Sequence, residues 1–230
     1  MTEKDEDLDA LVGRLLADPQ YETHPLRAAL VRMRRRSAEE QQRAKRITRI
    51  SDRYQAMLRD LNAALQQEAT HDALTGIGNR ALLMERLREE SDRSARSGKP
   101  YALAMLDADR FKQLNDTWGH AIGDRVLVAL SQAIQAAIRP YDLCGRWGGE
   151  EFLLLLPESS LDQSRPVIHR VLDGIATLQV QAGPGTVSMT ASIGVAAHVP
   201  GENYTQTLER ADLALYQAKR NGRNQCVYSD

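Results

Sequence analysis

Trp147-Gly148-Gly149-Glu150-Glu151-Phe152 runs straight into Leu153-Leu154-Leu155-Leu156. Phe152–Leu156 is an unbroken apolar run with the length of a strand. Paired glycines between it and an apparent preceding strand signal a hairpin. Two consecutive glutamates straight after such a turn are odd as pure structure. Side chains alternate across a strand, so one of the two faces the buried side unless a cation or partner neutralises it. Glycine at the tip also lets a phosphate approach backbone N–H groups.

Outward from this hairpin, Tyr101–Asp107 reads as a second buried strand and Val187–Ala196 as a third. Within Met105-Leu106-Asp107-Ala108-Asp109 the strand ends in a carboxylate, at a sheet edge that a ligand can reach. If the strand continues, Asp107 and Asp109 share one face, and a bound Mg²⁺ would relieve their repulsion. Helical patterns cover Arg80–Arg96, Asp124–Ile138, Leu161–Val180 and Thr205–Asn221, with Asp124 as the cap of its helix. Lys219 and Arg223, four apart, share a helix face. The expected class is α/β of the α+β kind: a central, mostly antiparallel sheet flanked by helices, laid on one face. Cys144 reads as a buried strand residue, while Gly145 has no evident role in the sequence.

Residues 1–69 follow a different grammar. They hold one glycine, Gly13, and two prolines, Pro19 and Pro25, among many helix formers. Leu8, Leu11, Val12, Leu15 and Leu16 predict a short amphipathic helix, closed off by Asp18-Pro19 and His24-Pro25. From Leu26 to about Gln67 nothing breaks a helix, and Ile47, Ile50, Tyr54, Met57, Leu61 and Leu65 step by three and four as in a coiled-coil seam. A rod of roughly 60 Å cannot hide that stripe within one chain, so a homodimer or higher oligomer is expected through it. The seam turns polar between Ser37 and Arg43, where it is expected to splay. The domain organisation expected is a helical regulatory and dimerisation stalk, 1–69, before an α+β domain, 70–230.

Composition bounds the partners. The formal net charge is -1, and 42% of residues are hydrophobic and 27% charged. The basic run Arg32, Arg34, Arg35, Arg36, Arg43, Lys45, Arg46 and Arg49 is interrupted by Glu39 and Glu40, with no DNA-binding motif nearby. It reads as a solvated helix face or a patch for an acidic protein, not a nucleic-acid site. Two cysteines are too few for a disulfide framework, which points to the cytoplasm. The opening Met-Thr-Glu-Lys-Asp-Glu-Asp is unlike a signal peptide, and no apolar run approaches a membrane span.

Gly148-Gly149-Glu150-Glu151-Phe152 resembles the signature of the GGDEF family, the diguanylate cyclases, in its GGEEF variant. The likeness extends to Asp72-Ala-Leu-Thr-Gly-Ile-Gly-Asn-Arg80, to Asp107 through Asp124, to Ala191-Ser-Ile-Gly-Val195 and to Ala211 through Asn224. It implies a palm-like nucleotide cyclase architecture that condenses two GTP into cyclic di-GMP, with two Mg²⁺ per active site (Mn²⁺ as a substitute). Asp107, the carbonyl of Ala108 and Glu151 would hold metal, with Glu150 a further ligand or the base. Lys112, Lys219 and Arg223 would neutralise phosphates, with Gly148 and Gly149 close to them, and Asn115 and Asp124 would read guanine. An Asp accepts from N1–H and the 2-amino group, which adenine does not offer in that pattern.

Each such domain resembles a binder of one GTP, so two must face each other, and the stalk has the evident task of bringing them together. Arg139-Pro-Tyr-Asp142 resembles the family's inhibitory RxxD motif for cyclic di-GMP, with Arg170 as an added contact. The rival reading is a catalytically inactive GTP or cyclic di-GMP receptor or scaffold. The intact Asp107, Lys112, Asn115, Glu150 and Glu151 argue against it. A further expectation is that input arrives through residues 1–69 from a separate regulatory protein.

Overall fold

The computed structural model describes residues 3–229, with side chains from residue 10 onward, so the side chain of Leu8 and those of the acidic opening segment lie outside it. The chain divides into two compact units, Met1–Ala64 and Leu65–Asp230.

The first unit holds α1 (Glu3–Ala17), a 3-10 turn at Pro19–Tyr21, and most of α2 (Arg27–Thr70), which continues into the second unit. Asp18 caps the turn by accepting from the Gln20 N–H, and Arg27 Nη2 donates to Leu16 O at 3.2 Å. These bonds fold α1 back onto the start of α2. The 44-residue α2 passes without a break through the polar stretch around Ser37–Arg43. Its apolar positions Ile47, Ile50, Tyr54, Met57, Leu61 and Leu65 are all exposed on the single chain.

In the second unit, α3 (Arg80–Ser97), β1 (Ala102–Ala108), α4 (Phe111–Trp118), α5 (His120–Ala137), β2 (Leu143–Gly148), β3 (Glu151–Leu156), α6 (Leu161–Ala176), β4 (Val180–Ala182), β5 (Gly185–Val187), β6 (Ala191–Ala197), α7 (Tyr204–Arg220) and β7 (Cys226–Ser229) follow in order. The main sheet runs β2-β3-β1-β6-β7, and β4 pairs with β5 in a separate ribbon. Its pairings are antiparallel except β6 with β7, in line with the mostly antiparallel sheet expected.

Helices cover both faces, not one. The apolar strand runs follow from this, because every residue of β1 is buried. Leu106, Phe152, Leu154 and Ile193 pack with residues of α5 and α6, while Leu103, Met105, Leu153 and Leu155 pack with Leu83 and Leu87 of α3 and Ala211 and Leu215 of α7. Gly194 lets α7 lie directly on β6, since a Cβ there would stand 2.0 Å from Leu215 N.

Several boundaries differ from expectation. α5 starts at His120, so Asp124 lies one turn inside the helix and is not its cap. α4 precedes it as a separate two-turn helix. α6 ends at Ala176, and Val180 belongs to the ribbon instead. The stretch read as one strand, Val187–Ala196, is split between β5 and β6.

Candidate active site

β1 and β3 lie side by side with Asp107 directly opposite Glu151. Alternation places Leu103 and Met105 on the α7 side of β1, and Leu153 and Leu155 on the same side of β3. Asp107 and Glu151 continue those rows, so both carboxylates face α7. That helix brings Lys219, whose Nζ is 2.8 Å from Asp107 Oδ2. Asp212 sits two turns earlier on the same stripe, and its charge acts on Glu151.

Burial pushes the pKa of Asp107 up, and Glu150 and Asp109 add to the rise while Lys219 opposes it. Glu151 is likewise raised, first by burial, then by Asp107, Asp212 and Glu150 against the pull of Lys219. The site is thus crowded with negative charge that one ammonium does not balance.

The hairpin is shifted by one residue from the simplest reading. Gly148 pairs with Glu151, with a bulge at Trp147, so the tip is Gly149-Glu150 and not Gly148-Gly149. Gly149 takes φ 54°, the left-handed region that glycine enters without strain. A Cβ at Gly148 or Gly149 would meet nothing within 4 Å, which leaves the tip open to a ligand. Glu150 O accepts from Ala108 N–H at 3.3 Å, joining the tip to the end of β1.

A clamp that the sequence did not disclose holds the turn. Arg146 Nε donates to Gly149 O at 2.8 Å, and its Nη1 reaches both oxygens of Asp72 at 3.2 and 3.1 Å. Thr75 N–H and Oγ1 also donate to Asp72. Partial burial works against the charge of Asp72, but Thr75 and Arg146 outweigh it and hold the carboxyl below its usual range. The partners' separation of 74 positions explains why no local pattern revealed the clamp. Gly145 gains its reason here: a Cβ would stand 2.6 Å from Gly78 O, and Arg146 N–H donates to that same oxygen. Arg80 lies over the Trp147 ring, 4.5 Å from its centroid.

Lys112 is exposed on α4, and Arg223 is exposed just past α7. Asn115 stands over Gly123, where a Cβ would come within 1.9 Å of its Oδ1, and that oxygen is buried without a partner among the described residues. Asp124, exposed, follows Gly123. Cys144 is buried in β2, with its thiol pushed up to about 12 by burial.

Arg139 and Asp142 sit elsewhere, in a cleft of about 680 Å³ also lined by Arg86, Glu90, Arg93 and Tyr141. Arg139 N–H donates to Asp142 Oδ2 at 2.9 Å, while Asp142 Oδ1 is buried with no partner among the described residues. Burial raises Asp142, against the backbone bond and charge of Arg139 and the charge of Arg170. Arg170 itself bonds Ala137 O through Nε and Nη2 and does not line the cleft. Sequence reading passed over Arg86, Glu90 and Arg93, which lie on α3, while the motif lies in the loop between α5 and β2.

The donor set suits a hard divalent cation: carboxylate and carbonyl oxygens, excess negative charge, and a locus at Asp107 that already draws a cationic nitrogen. Among the described residues, no three acidic, histidine or cysteine side chains are yet gathered around one point.

An acidic pair on adjacent strands, an open glycine turn and the Lys219 ammonium brought by α7 mark the candidate site of this α+β domain. The chain belongs to the GGDEF family: residues 69–225 match the diguanylate cyclase GGDEF domain. It is 38% identical to diguanylate cyclase DgcP of Pseudomonas aeruginosa over 197 residues, 83% of this chain and 29% of DgcP. The chain spans less than half the length of the curated relatives it matches. Among solved structures, the diguanylate cyclase SiaD of Pseudomonas aeruginosa, in complex with its activator SiaC, is 49% identical with a TM-score of 0.70, covering 99% of this chain and 100% of SiaD. The coiled coil and GGDEF domain of DgcB from Caulobacter crescentus, in complex with c-di-GMP, is 28% identical with a TM-score of 0.72, covering 86% of this chain and 99% of that one. Among the described residues, no helix is long and apolar enough to cross a membrane.

Proposed function

We propose that this chain condenses two GTP into cyclic di-GMP and two pyrophosphates, each of two facing subunits holding one GTP. The observation that carries the reading is Asp107 standing opposite Glu151 beside an open glycine turn. Asp107, the Ala108 carbonyl, Glu151 and Glu150 would hold Mg²⁺ or Mn²⁺, which supplies charge neutralisation at the triphosphate and a more acidic attacking hydroxyl. Lys112, Lys219 and Arg223 take phosphate oxygens, and the backbone of Gly148 and Gly149 lies against them. Asn115 and Asp124 take the guanine edge; the buried, unpartnered Asn115 Oδ1 is an acceptor waiting for a donor. Glu150, at the turn tip, adds a ligand oxygen or takes the proton of the 3′-hydroxyl.

The exposed seam of α2 supports association of two subunits through the stalk. SiaD, similar over nearly the whole of this chain, is crystallised with an activator protein, which supports regulation of this chain by a separate protein; we assign its docking to residues 1–69. The cleft at Arg139 and Asp142 suits a guanine of the product, because Asp142 Oδ1 has no donor of its own.

The test is a pyrophosphate and cyclic di-GMP assay on the full chain with GTP and Mg²⁺ across protein concentration. Turnover per protomer is expected to fall on dilution. No pyrophosphate would refute the activity, whereas turnover unchanged on dilution would refute only the facing pair.

A further inference from the structure

Asp109 is the acidic residue that the site does not use. β1 ends at Ala108, so Asp109 does not continue the row of Asp107 as the sequence suggested. It is buried, and its oxygens are committed: Oδ1 accepts from Ser192 Oγ at 2.7 Å, and Oδ2 accepts from Thr190 Oγ1 at 2.7 Å and Asn224 N–H at 3.0 Å. Its own N–H donates to Thr190 O at 2.9 Å.

Three parts of the proposed site adjoin this residue, and one of them bonds its carboxylate. Asp107 lies two residues before it. Arg110, directly after it, takes φ 56° and opens α4 with Lys112 and Asn115. On the far side, Arg223 and Asn224 take φ 66° and 46°. Non-glycine residues in the left-handed region cost about 1 kcal/mol or more each and persist only where their surroundings hold them. The bond from Asn224 N–H to Asp109 is such a hold, alongside that from Arg223 N–H to Ala218 O at 3.1 Å.

We infer that Asp109 is a positioning residue: it fixes the Arg223–Asn224 turn, and with it the Arg223 guanidinium, relative to Asp107. This rests on the reading of Arg223 as a triphosphate contact. Asp109 itself neither ligates the cation nor touches substrate.

The test uses full-length protein and separates KM for GTP from kcat. In Asp109→Asn, the amide oxygen can accept from Asn224 and Thr190 while its NH₂ donates to a rotated Ser192 hydroxyl. KM and the Mg²⁺ requirement are therefore expected to stay within about threefold of wild type. Asp109→Ala strands the Asn224 N–H and is expected to raise KM about tenfold, as loss of a charge-assisted hydrogen bond does. Because it acts through Arg223, Asp109→Ala should add little to Arg223→Ala in the double variant. If Asp109→Ala does not fold, Asp109→Ser, too short to reach Asn224, is read in the same way. An Asp109→Asn defect as deep as that of Asp107→Asn, with a shifted Mg²⁺ requirement, would make Asp109 a ligand and overturn the inference. Additive KM effects, or an unchanged KM in Asp109→Ala, would overturn it too. Arg223→Ala with unchanged KM would instead overturn the triphosphate reading, and this inference with it.

Discussion

Lys219 Nζ lies 2.8 Å from Asp107 Oδ2, so an ammonium from α7 occupies one side of the carboxylate that begins the acidic site. The pair is partly buried, and Lys219 is the one cation acting against the rise in the pKa of Asp107. On the proposed function, a metal and this ammonium would compete for the same charge, and triphosphate oxygens would draw the lysine away. Lys219→Met is expected to bind Mn²⁺ severalfold more tightly without nucleotide, while its KM for GTP rises. Titration of Mn²⁺ by paramagnetic resonance checks the first and steady-state kinetics the second. Equal Mn²⁺ affinity in the two proteins would dismiss the competition.

Glu151 is raised by burial and by three neighbouring carboxylates, and is therefore a liability to the fold once ionised. The fold binds its proton more tightly than the unfolded chain does. Its stabilising contribution is thus complete below the ordinary value of 4.5 and is lost as pH rises through the raised one. Glu151→Gln should abolish at least about 99% of turnover, more than the loss typical for an outer partner of a ligand. The same variant should melt about 2 °C higher at pH 7.5, a small gain because Glu151 is only partly buried and solvent screens its charge. Near pH 3.5 the gain should vanish. Melting curves at the two pH values decide it, and a variant less stable at pH 7.5 contradicts the electrostatic account.

Gly123→Ala sets two effects against each other. Alanine favours a helix interior by about 1 kcal/mol over glycine. Here, however, the new Cβ would stand 1.9 Å from Asn115 Oδ1 and 3.1 Å from Phe111 Cζ. The amide is the end of a flexible side chain and moves at little cost, so the protein should fold with a melting temperature near wild type. Its KM for GTP should rise about tenfold as Asn115 leaves its place. Unchanged KM would remove Asn115 from guanine recognition.

Arg146 holds the turn by geometry as much as by charge. Arg146→Lys keeps a cation for Asp72 but cannot bond both Asp72 and Gly149 O through a planar fork. A loss of about tenfold in kcat is expected, with far-ultraviolet dichroism unchanged. Full activity in Arg146→Lys would show that the turn keeps its shape without the clamp.

Much of the site was legible in the sequence because its parts are local. The glycine turn with its two glutamates and the carboxylate at the end of Tyr101–Asp107 follow from short-range periodicity, whereas the helix face expected to join Lys219 and Arg223 does not exist, because α7 ends at Arg220 and Arg223 sits in a left-handed turn beyond it. Resemblance to the GGDEF family then joined these pieces into one site. Boundaries were less legible where a polar residue admits two roles. Asp124 reads as a cap until α5 is seen to begin at His120, and a one-residue bulge at Trp147 moved the turn tip.

The amino-acid order alone determined the apolar strands β1 and β3 and where the carboxylates fall along them, because backbone sterics and side-chain alternation act over a few residues; it did not mark β7 or the split of Val187–Ala196 between β5 and β6. Only the tertiary structure decided that Arg146 reaches Asp72, that α7 sets Lys219 on Asp107, and that Asp109 is consumed by Thr190, Ser192 and Asn224. Those partners lie 74 to 115 residues apart. Nothing in local propensity encodes such distances; they are fixed when helices close over both faces of one sheet.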